Sequence, residues 1–267
     1  MSRRQSPSPR PHVSPPPTIA GDFFALLAQH RISPPHVHAS AAPVETQATT
    51  VFAFHFADGV FVAGDRRATA GNVIVTETVE KVIELDSTSL LAIAGVPATA
   101  FEMARALQTS FEYYRRSQLQ ALSLPAKVRA LSRALRDNLG LTLQGVGVVA
   151  PLFVGLDNTA LPARPQIYFY DPLGAQFEAA DFSASGSGST TVRSILAFQQ
   201  RFGSPTPARM TLREATRFAL QTLMVAAEFD SATGGVAPES ARFATLKWLG
   251  QDGIRTLTVT EQAEALS

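Results

Sequence analysis

Thr49-Thr50-Val51-Phe52-Ala53-Phe54-His55-Phe56, then Ala57-Asp58-Gly59, then Val60-Phe61-Val62-Ala63-Gly64-Asp65: this stretch decides how the chain is read. The first run is apolar and β-prone, Asp58-Gly59 is a hairpin turn signal, and the last run is a second strand. Upstream the composition changes, because nine of the 18 prolines fall in residues 1–48. Such a segment cannot supply regular backbone hydrogen bonds and is expected to stay extended. Its one interruption, from Ile19 to Ala28, predicts a short helix capped by Asp22. That helix reads either as a docking element that shields apolar surface or as an anchor that assists folding or assembly. A Thr at the junction has a chemical consequence. A cut just before Thr49 would leave one residue with both a hydroxyl nucleophile and an α-amine of pKa about 7.7–8.0, suited to general base work near neutral pH.

Composition narrows the chemistry. The 267 residues, 45% of them hydrophobic, suffice for one well-filled domain plus a tail. The net charge of +1 divides into +2 over residues 1–48 and −1 over the rest, so no basic face for nucleic acid is indicated. No apolar run approaches the roughly 20 residues of a membrane span. Arg3 and Arg4 are not followed by an apolar core, so a cytoplasmic protein is expected. The absence of cysteine excludes Cys nucleophiles, disulfides and Cys-ligated zinc. Of the five histidines only His55 lies beyond residue 48, in a strand of alternating aromatics where a structural role is expected. A Ser-His-Asp triad in the main domain would have to use it, and a multi-His metal site there is excluded. His36 and His38 sit in the Pro-rich tail and read as solvated. No metal or other cofactor is expected. For a hydrolase built on this chain, the expected base is an amine.

Beyond Thr49 the pattern predicts strands near 49–57, 60–66, 72–76, 80–86 and 89–94, then helices near 98–116 and 125–143. Strands return near 146–154, 166–171 and 174–182, followed by helices near 190–202 and 211–229. Strands near 241–249 and 253–260 close the chain. This order suggests two sheets packed face to face between helical layers.

Several segments are candidates for chemistry, each with a plain structural reading beside it. Gly64-Asp65-Arg66-Arg67-Ala68-Thr69 crowds charges at a strand exit. Lys81 is one of only three lysines, with 127 and 247, and lies among apolar strand residues beside Glu80. It reads as a surface lysine, or as a buried cation that depresses the pKa of a neighbouring nucleophile or amine. Gly95, in Ala94-Gly95-Val96-Pro97, reads as a turn or as an oxyanion donor through its N–H. Ser185-Gly186-Ser187-Gly188-Ser189 reads as a capped loop or a nest of donors, and it lacks the Lys-Ser/Thr ending of a phosphate loop. In Asp230-Ser231-Ala232-Thr233-Gly234-Gly235 the glycines suit a helix stop, while Asp230 and Thr233 could hold a charged amine.

Taken together and in order, these segments resemble the β-type subunits of the proteasome core particle. The matching features are Thr49-Thr50-Val51, Gly64-Asp65-Arg66-Arg67-Ala68-Thr69-x-Gly71-Asn72, Glu80-Lys81-Val82, Ile93-Ala94-Gly95, Gly186-Ser187-Gly188-Ser189 and Asp230 to Gly235. They run over essentially all of residues 49–260. Leu143-Gln144-Gly145-Val146 and the Asp-Ser-Ala-Thr-Gly-Gly form look most like the actinobacterial type. The resemblance implies an α+β, four-layer αββα sandwich of the N-terminal nucleophile hydrolase class. It also implies a threonine endopeptidase whose residues 1–48 are a propeptide lost on maturation and whose catalytic domain is 49–267.

By the same resemblance, Thr49 is the nucleophile and its freed amine takes the proton through a water. Lys81 tunes Thr49, Asp65 holds Lys81, and Arg67 neighbours Asp65. Ser187, Asp230 and Thr233 steady the N-terminus, and the Gly95 N–H serves the oxyanion. Thr69 would bind substrate backbone as an added strand. Ala68, Val79, Ile83, Ile93, Pro97 and Phe101 would line the pocket for the residue before the cut. All six are uncharged and apolar, which implies cleavage after hydrophobic residues. The implied partners are α subunits and further β subunits in seven-membered rings (α7β7β7α7), a regulatory ATPase ring and unfolded protein substrates.

One position departs from the family pattern. Ala48 precedes the nucleophile where the family usually has Gly, which reaches the tight geometry of self-cleavage more readily, so the departure bears on the rate of maturation. Three rivals compete with this reading. The two-ring threonine peptidase with its own ATPase has shorter subunits, usually without a long propeptide. A non-catalytic structural ring subunit typically loses the Thr, the Lys or the processing, whereas Thr49, Asp65 and Lys81 all persist. An amidohydrolase of the same nucleophile class acting on small amides lacks the assembly-type motifs.

Overall fold

A computed structural model describes residues 49–70, 73–158 and 162–267. The helix expected within residues 19–28, and Ala48 itself, lie outside the described residues.

The opening hairpin forms as its sequence dictates. Strands β1 (Thr50–Phe56) and β2 (Gly59–Gly64) pair antiparallel from Val51 opposite Gly64 to Phe56 opposite Gly59. Both strands read as nearly continuous apolar runs because both of their faces are buried. Phe52, Phe54, Phe56, Phe61 and Ala63 face a helical layer, while Val51, Ala53, Val60 and Val62 face a second sheet. The alternation of a strand is therefore present but joins two different cores.

The remaining elements complete four layers. After the short strands β3 (Ala68–Ala70) and β4 (Val73–Thr76) come β5 (Val82–Asp86) and β6 (Ser89–Ala92). Helices α1 (Pro97–Gln118), α2 (Leu124–Asp137) and α3 (Leu139–Leu143) follow, then β7 (Leu152–Asp157), β8 (Arg164–Tyr170), β9 (Gln176–Ala179) and β10 (Phe182–Gly186). Helices α4 (Ser189–Phe202) and α5 (Leu212–Phe229) precede β11 (Thr245–Gly250), β12 (Gly253–Thr256) and α6 (Val259–Leu266). One sheet has the order β10-β1-β2-β11-β12 and the other β5-β6-β7-β8-β9, with β3-β4 a separate hairpin. Leu90, Ala92, Leu152, Val154 and Ile167 meet Val51 and Val62 between the sheets. Leu91, Ile93 and Phe153 point the other way, onto Ala104, Leu107 and Phe111 of α1 and Val128 and Leu131 of α2. Val192 and Leu196 of α4 and Ala219, Leu220 and Leu223 of α5 cover Phe52 and Phe54. The architecture is the expected αββα sandwich.

Five local readings shift, and the first is the helix expected near 125–143, which breaks at Asn138 into α2 and α3. The strand expected over 174–182 is cut at Ala180-Asp181, so β9 edges one sheet and β10 edges the other. The strand expected near 146–154 begins at Leu152, because the chain first turns through Gly145 and Gly147, where Asn138 Nδ2 donates to the Gly147 carbonyl at 2.7 Å. β3 is additional, and its pairing with β4 shifts register between Ala68 and Thr69. The expected strand 253–260 stops at Thr256, and α6 starts behind a reciprocal cap between Thr258 and Glu261.

Candidate active site

The hairpin puts Thr50 and Asp65 side by side. Asp65 follows the last residue of β2; its N–H donates to the Thr50 carbonyl at 3.1 Å, and Thr50 N–H donates to Asp65 Oδ1 at 2.8 Å. Asp65 Oδ2 accepts N–H bonds from Arg67 at 2.9 Å and Gly234 at 2.8 Å. The fourth donor is Lys81 Nζ, 2.7 Å from Asp65 Oδ1, which also donates to the Arg67 carbonyl at 2.5 Å. The Lys81 and Asp65 side chains are 2% and 0% exposed. This settles the two readings of Lys81 in favour of burial. Burial holds its ammonium below the usual lysine range, and the adjacent Asp65 carboxylate partly offsets that.

A second carboxylate sits across β1. Asp230, at the end of α5, accepts on Oδ2 from Ser187 Oγ at 2.6 Å and from Thr233 Oγ1 at 2.5 Å, and on Oδ1 from Ala232 N–H at 3.1 Å. Ser187 is brought there by β10, whose last residue, Gly186, lies opposite Thr50. Gly186 has φ +94°, and a β-carbon on it would run into the Thr49 carbonyl oxygen. The close approach lets Ser187 N–H donate to that oxygen at 2.9 Å. Thr49 is 3% exposed. Its peptide is therefore tied to the Ser187–Asp230–Thr233 group, while the next residue is tied to the Asp65–Lys81 pair.

Gly95 lies where β6 runs into α1. Its φ of +107° and the closeness of the Val148 carbonyl both demand glycine. It faces Val149 in a bridge whose two hydrogen bonds fall on either side of it, Val96 N–H to Val148 O at 2.8 Å and Ala150 N–H to Ala94 O at 2.9 Å. The Gly95 N–H stays out of this ladder, as an oxyanion donor must. The chain reaches Gly95 from Ile93, whose N–H donates to the Lys81 carbonyl at 2.9 Å.

The six expected pocket residues are only partly gathered. Ile83, Ile93 and Phe101 pack in one cluster between β5, β6 and α1. Val79 joins the strand exit through its N–H on the Arg66 carbonyl, near half-buried Ala68. Pro97 is exposed at the first turn of α1, and Thr69 is half-buried on β3. The titratable groups Asp65, Lys81 and Asp230 thus gather around the start of β1, and the Ile83–Ile93–Phe101 cluster reaches them through the Ile93 N–H on the Lys81 carbonyl. His55 is not among them. It lies at the far end of β1, in a cavity of about 940 Å³ shared with Asp58, Arg164, Glu178 and Asp181, and burial holds its imidazole below the usual value.

A sequence profile described as Proteasome subunit matches residues 45–237. The chain is 38% identical over 244 residues to a proteasome subunit beta of Stackebrandtia nassauensis, covering 91% of this chain and 84% of the relative. It is 42% identical over 218 residues to a proteasome subunit beta 2 of Thermomonospora curvata, with 81% and 74% covered. The chain belongs to the proteasome β-subunit family. A third relative, a proteasome subunit beta of Acidimicrobium ferrooxidans, is 37% identical over 240 residues, with 88% and 84% covered. Membership implies assembly with other subunits into a proteasome particle. Among the described residues no helix is long and apolar enough to cross a membrane, and no group of His, Asp and Glu has the arrangement of a metal site.

Some members of the site escape a sequence reading. Glu77, on the turn after β4, accepts from Arg67 Nε at 3.1 Å and Nη2 at 2.9 Å, and also pairs with Arg242. The Arg67 guanidinium, with help from Arg242, holds the Glu77 carboxyl below its usual range. Arg67 Nη1 donates to the Ser231 carbonyl at 2.8 Å, so Glu77 braces the link between the Asp65 and Asp230 segments. A glutamate in an exposed hairpin carries no sequence signal for that. The Thr50 hydroxyl is the other omission.

Proposed function

We propose that this β subunit is a threonine endopeptidase, made as a precursor and activated by its own cleavage between Ala48 and Thr49. The observation that carries the reading is the pair of carboxylate clusters converging on Thr49-Thr50: buried Asp65 with Lys81 on one side, half-buried Asp230 with Ser187 and Thr233 on the other. In the mature chain the Thr49 hydroxyl attacks the substrate carbonyl and the α-amine of the same residue accepts its proton through a water. Lys81 supplies positive charge that favours the alkoxide, and Asp65 fixes its position. The Gly95 N–H stabilises the tetrahedral oxyanion. The amine then protonates the leaving group, and a water hydrolyses the Thr49 ester.

The apolar wall of Ile83, Ile93 and Phe101 supports cleavage after hydrophobic residues. Unfolded protein is the substrate class, processed inside seven-membered β rings capped by α rings and fed by an ATPase ring. Residues 1–48 serve as the propeptide. The test is the intact mass of the chain recovered from particles assembled with its partner subunits, alongside hydrolysis of hydrophobic peptides. Loss of residues 1–48 together with activity is expected. A full-length chain in active particles would overturn the mechanism, and a full-length chain in inactive particles would identify a structural ring subunit.

A further inference from the structure

We propose that Thr50 is a positioning residue, whose hydroxyl locks the Asp230 carboxylate to the strand that carries Thr49. The inference rests on the threonine-nucleophile reading above and extends it to a residue that reading leaves idle.

The Thr50 and Thr233 side chains are both fully buried, and their oxygens are 2.5 Å apart. The direction of each hydrogen bond follows from the neighbours. A carboxylate oxygen accepts, so Thr233, 2.5 Å from Asp230 Oδ2, gives it its single proton. The proton between the two threonines must then be that of Thr50. The Thr50 oxygen in turn accepts from the Gly188 N–H at 3.0 Å. The result is one unbroken relay of donors, from the Gly188 amide through Thr50 and Thr233 into Asp230. A charged terminus and a low local dielectric strengthen every member of such a chain.

The approach is built into the backbone. A β-carbon at Gly188 would stand 2.5 Å from Thr50 Oγ1 and 2.6 Å from Thr233 Oγ1, so only glycine admits the amide there. The same Thr50 gives its backbone N–H to Asp65. It is therefore bonded to both carboxylate clusters, by main chain to one and by side chain to the other. Its neighbour Thr49 is held in register with both at once. A hydroxyl so committed is also withdrawn from nucleophilic duty.

The experiment compares Thr50→Val and Thr50→Ser with the parent and with Thr49→Ala, all as full chains assembled with partner subunits. kcat and KM are normalised to the number of matured sites. Thr50→Val keeps the shape and removes the hydroxyl. It is expected to lower kcat by about tenfold or more, since a hydrogen bond in a charged network is the quantity lost, with KM changed less than about twofold. Thr50→Ser should restore kcat to within about threefold. If Thr50→Val does not assemble, the smaller Thr50→Ala carries the same comparison. A kcat within twofold of the parent for the hydroxyl-free variant, or failure of Ser to restore it, overturns the proposal. A merely structural role would reduce the yield of particles and leave kcat per matured site unchanged, which is also contrary. Activity retained in Thr49→Ala would instead overturn the nucleophile reading, so the two failures are distinguishable.

Discussion

Thr49→Ala particles should hydrolyse no peptide above background, a fall of more than about 10⁴-fold in kcat, while folding as the parent does. The expectation follows from what the side chain contributes and what it does not. The Thr49 carbonyl, which accepts from Ser187 N–H, survives the substitution. Strand β1 starts at the next residue, so its pairing with β2 and β10 is untouched. Stability should therefore change by no more than about 1 kcal/mol. The hydroxyl, by contrast, has no substitute. Thr50 stands one residue away, but its oxygen is bonded to Gly188 and Thr233. The variant should also retain residues 1–48, since in the proposed mechanism the same hydroxyl performs the self-cleavage. Thermal unfolding, intact mass and peptide hydrolysis check the three parts together. Residual turnover near the parental rate would show that another group is the nucleophile.

Lys81→Ala should abolish activity as well, but at a cost in stability that Thr49→Ala does not carry. Removing one partner of a buried ion pair leaves the other charge in a poor solvent, typically at about 3–5 kcal/mol. Asp65 here keeps three backbone N–H donors, from Thr50, Arg67 and Gly234, which places the expected loss near about 3 kcal/mol. Lys81→Arg should not rescue turnover. The ammonium fits between Asp65 Oδ1 and the Arg67 carbonyl at 2.7 and 2.5 Å in a site that is 2% exposed, and a planar guanidinium cannot reproduce that approach. The measurement is chemical denaturation of the isolated chain together with kcat per assembled subunit. Near-normal turnover in either variant would remove Lys81 from the reaction.

Much of this is legible in the sequence, and the reason is physical. β1 and β2 are specified by a β-prone apolar run and a turn that only a hairpin satisfies. The site segments are glycine-flanked, and glycine positions such as Gly95 and Gly186 are dictated by backbone approach, which leaves a mark in sequence. What could not be read depends on register and on sheet membership. Ala180-Asp181 is where the chain leaves one sheet for the other, yet locally it continues a strand pattern. The role of the Thr50 hydroxyl depends on the pairing of Thr50 with Gly186, which turns it toward Thr233 and Gly188. Glu77 acts through Arg67, across ten positions and an exposed hairpin, and nothing in its surroundings announces that. The α6 cap, Thr258 with Glu261, carries a signal, but Thr256-Leu257-Thr258-Val259 before it alternates as a strand would.

The central claim is that Thr49, freed at its α-amine, forms the bond to substrate. It is tested most directly by treating assembled particles with a hydrophobic peptide bearing a carbonyl-reactive or alkylating electrophile and locating the adduct by intact mass and peptide mapping. One adduct per mature chain is expected, on the residue that begins that chain, Thr49. An adduct on Thr50 or elsewhere, or one on a chain still carrying residues 1–48, would contradict it.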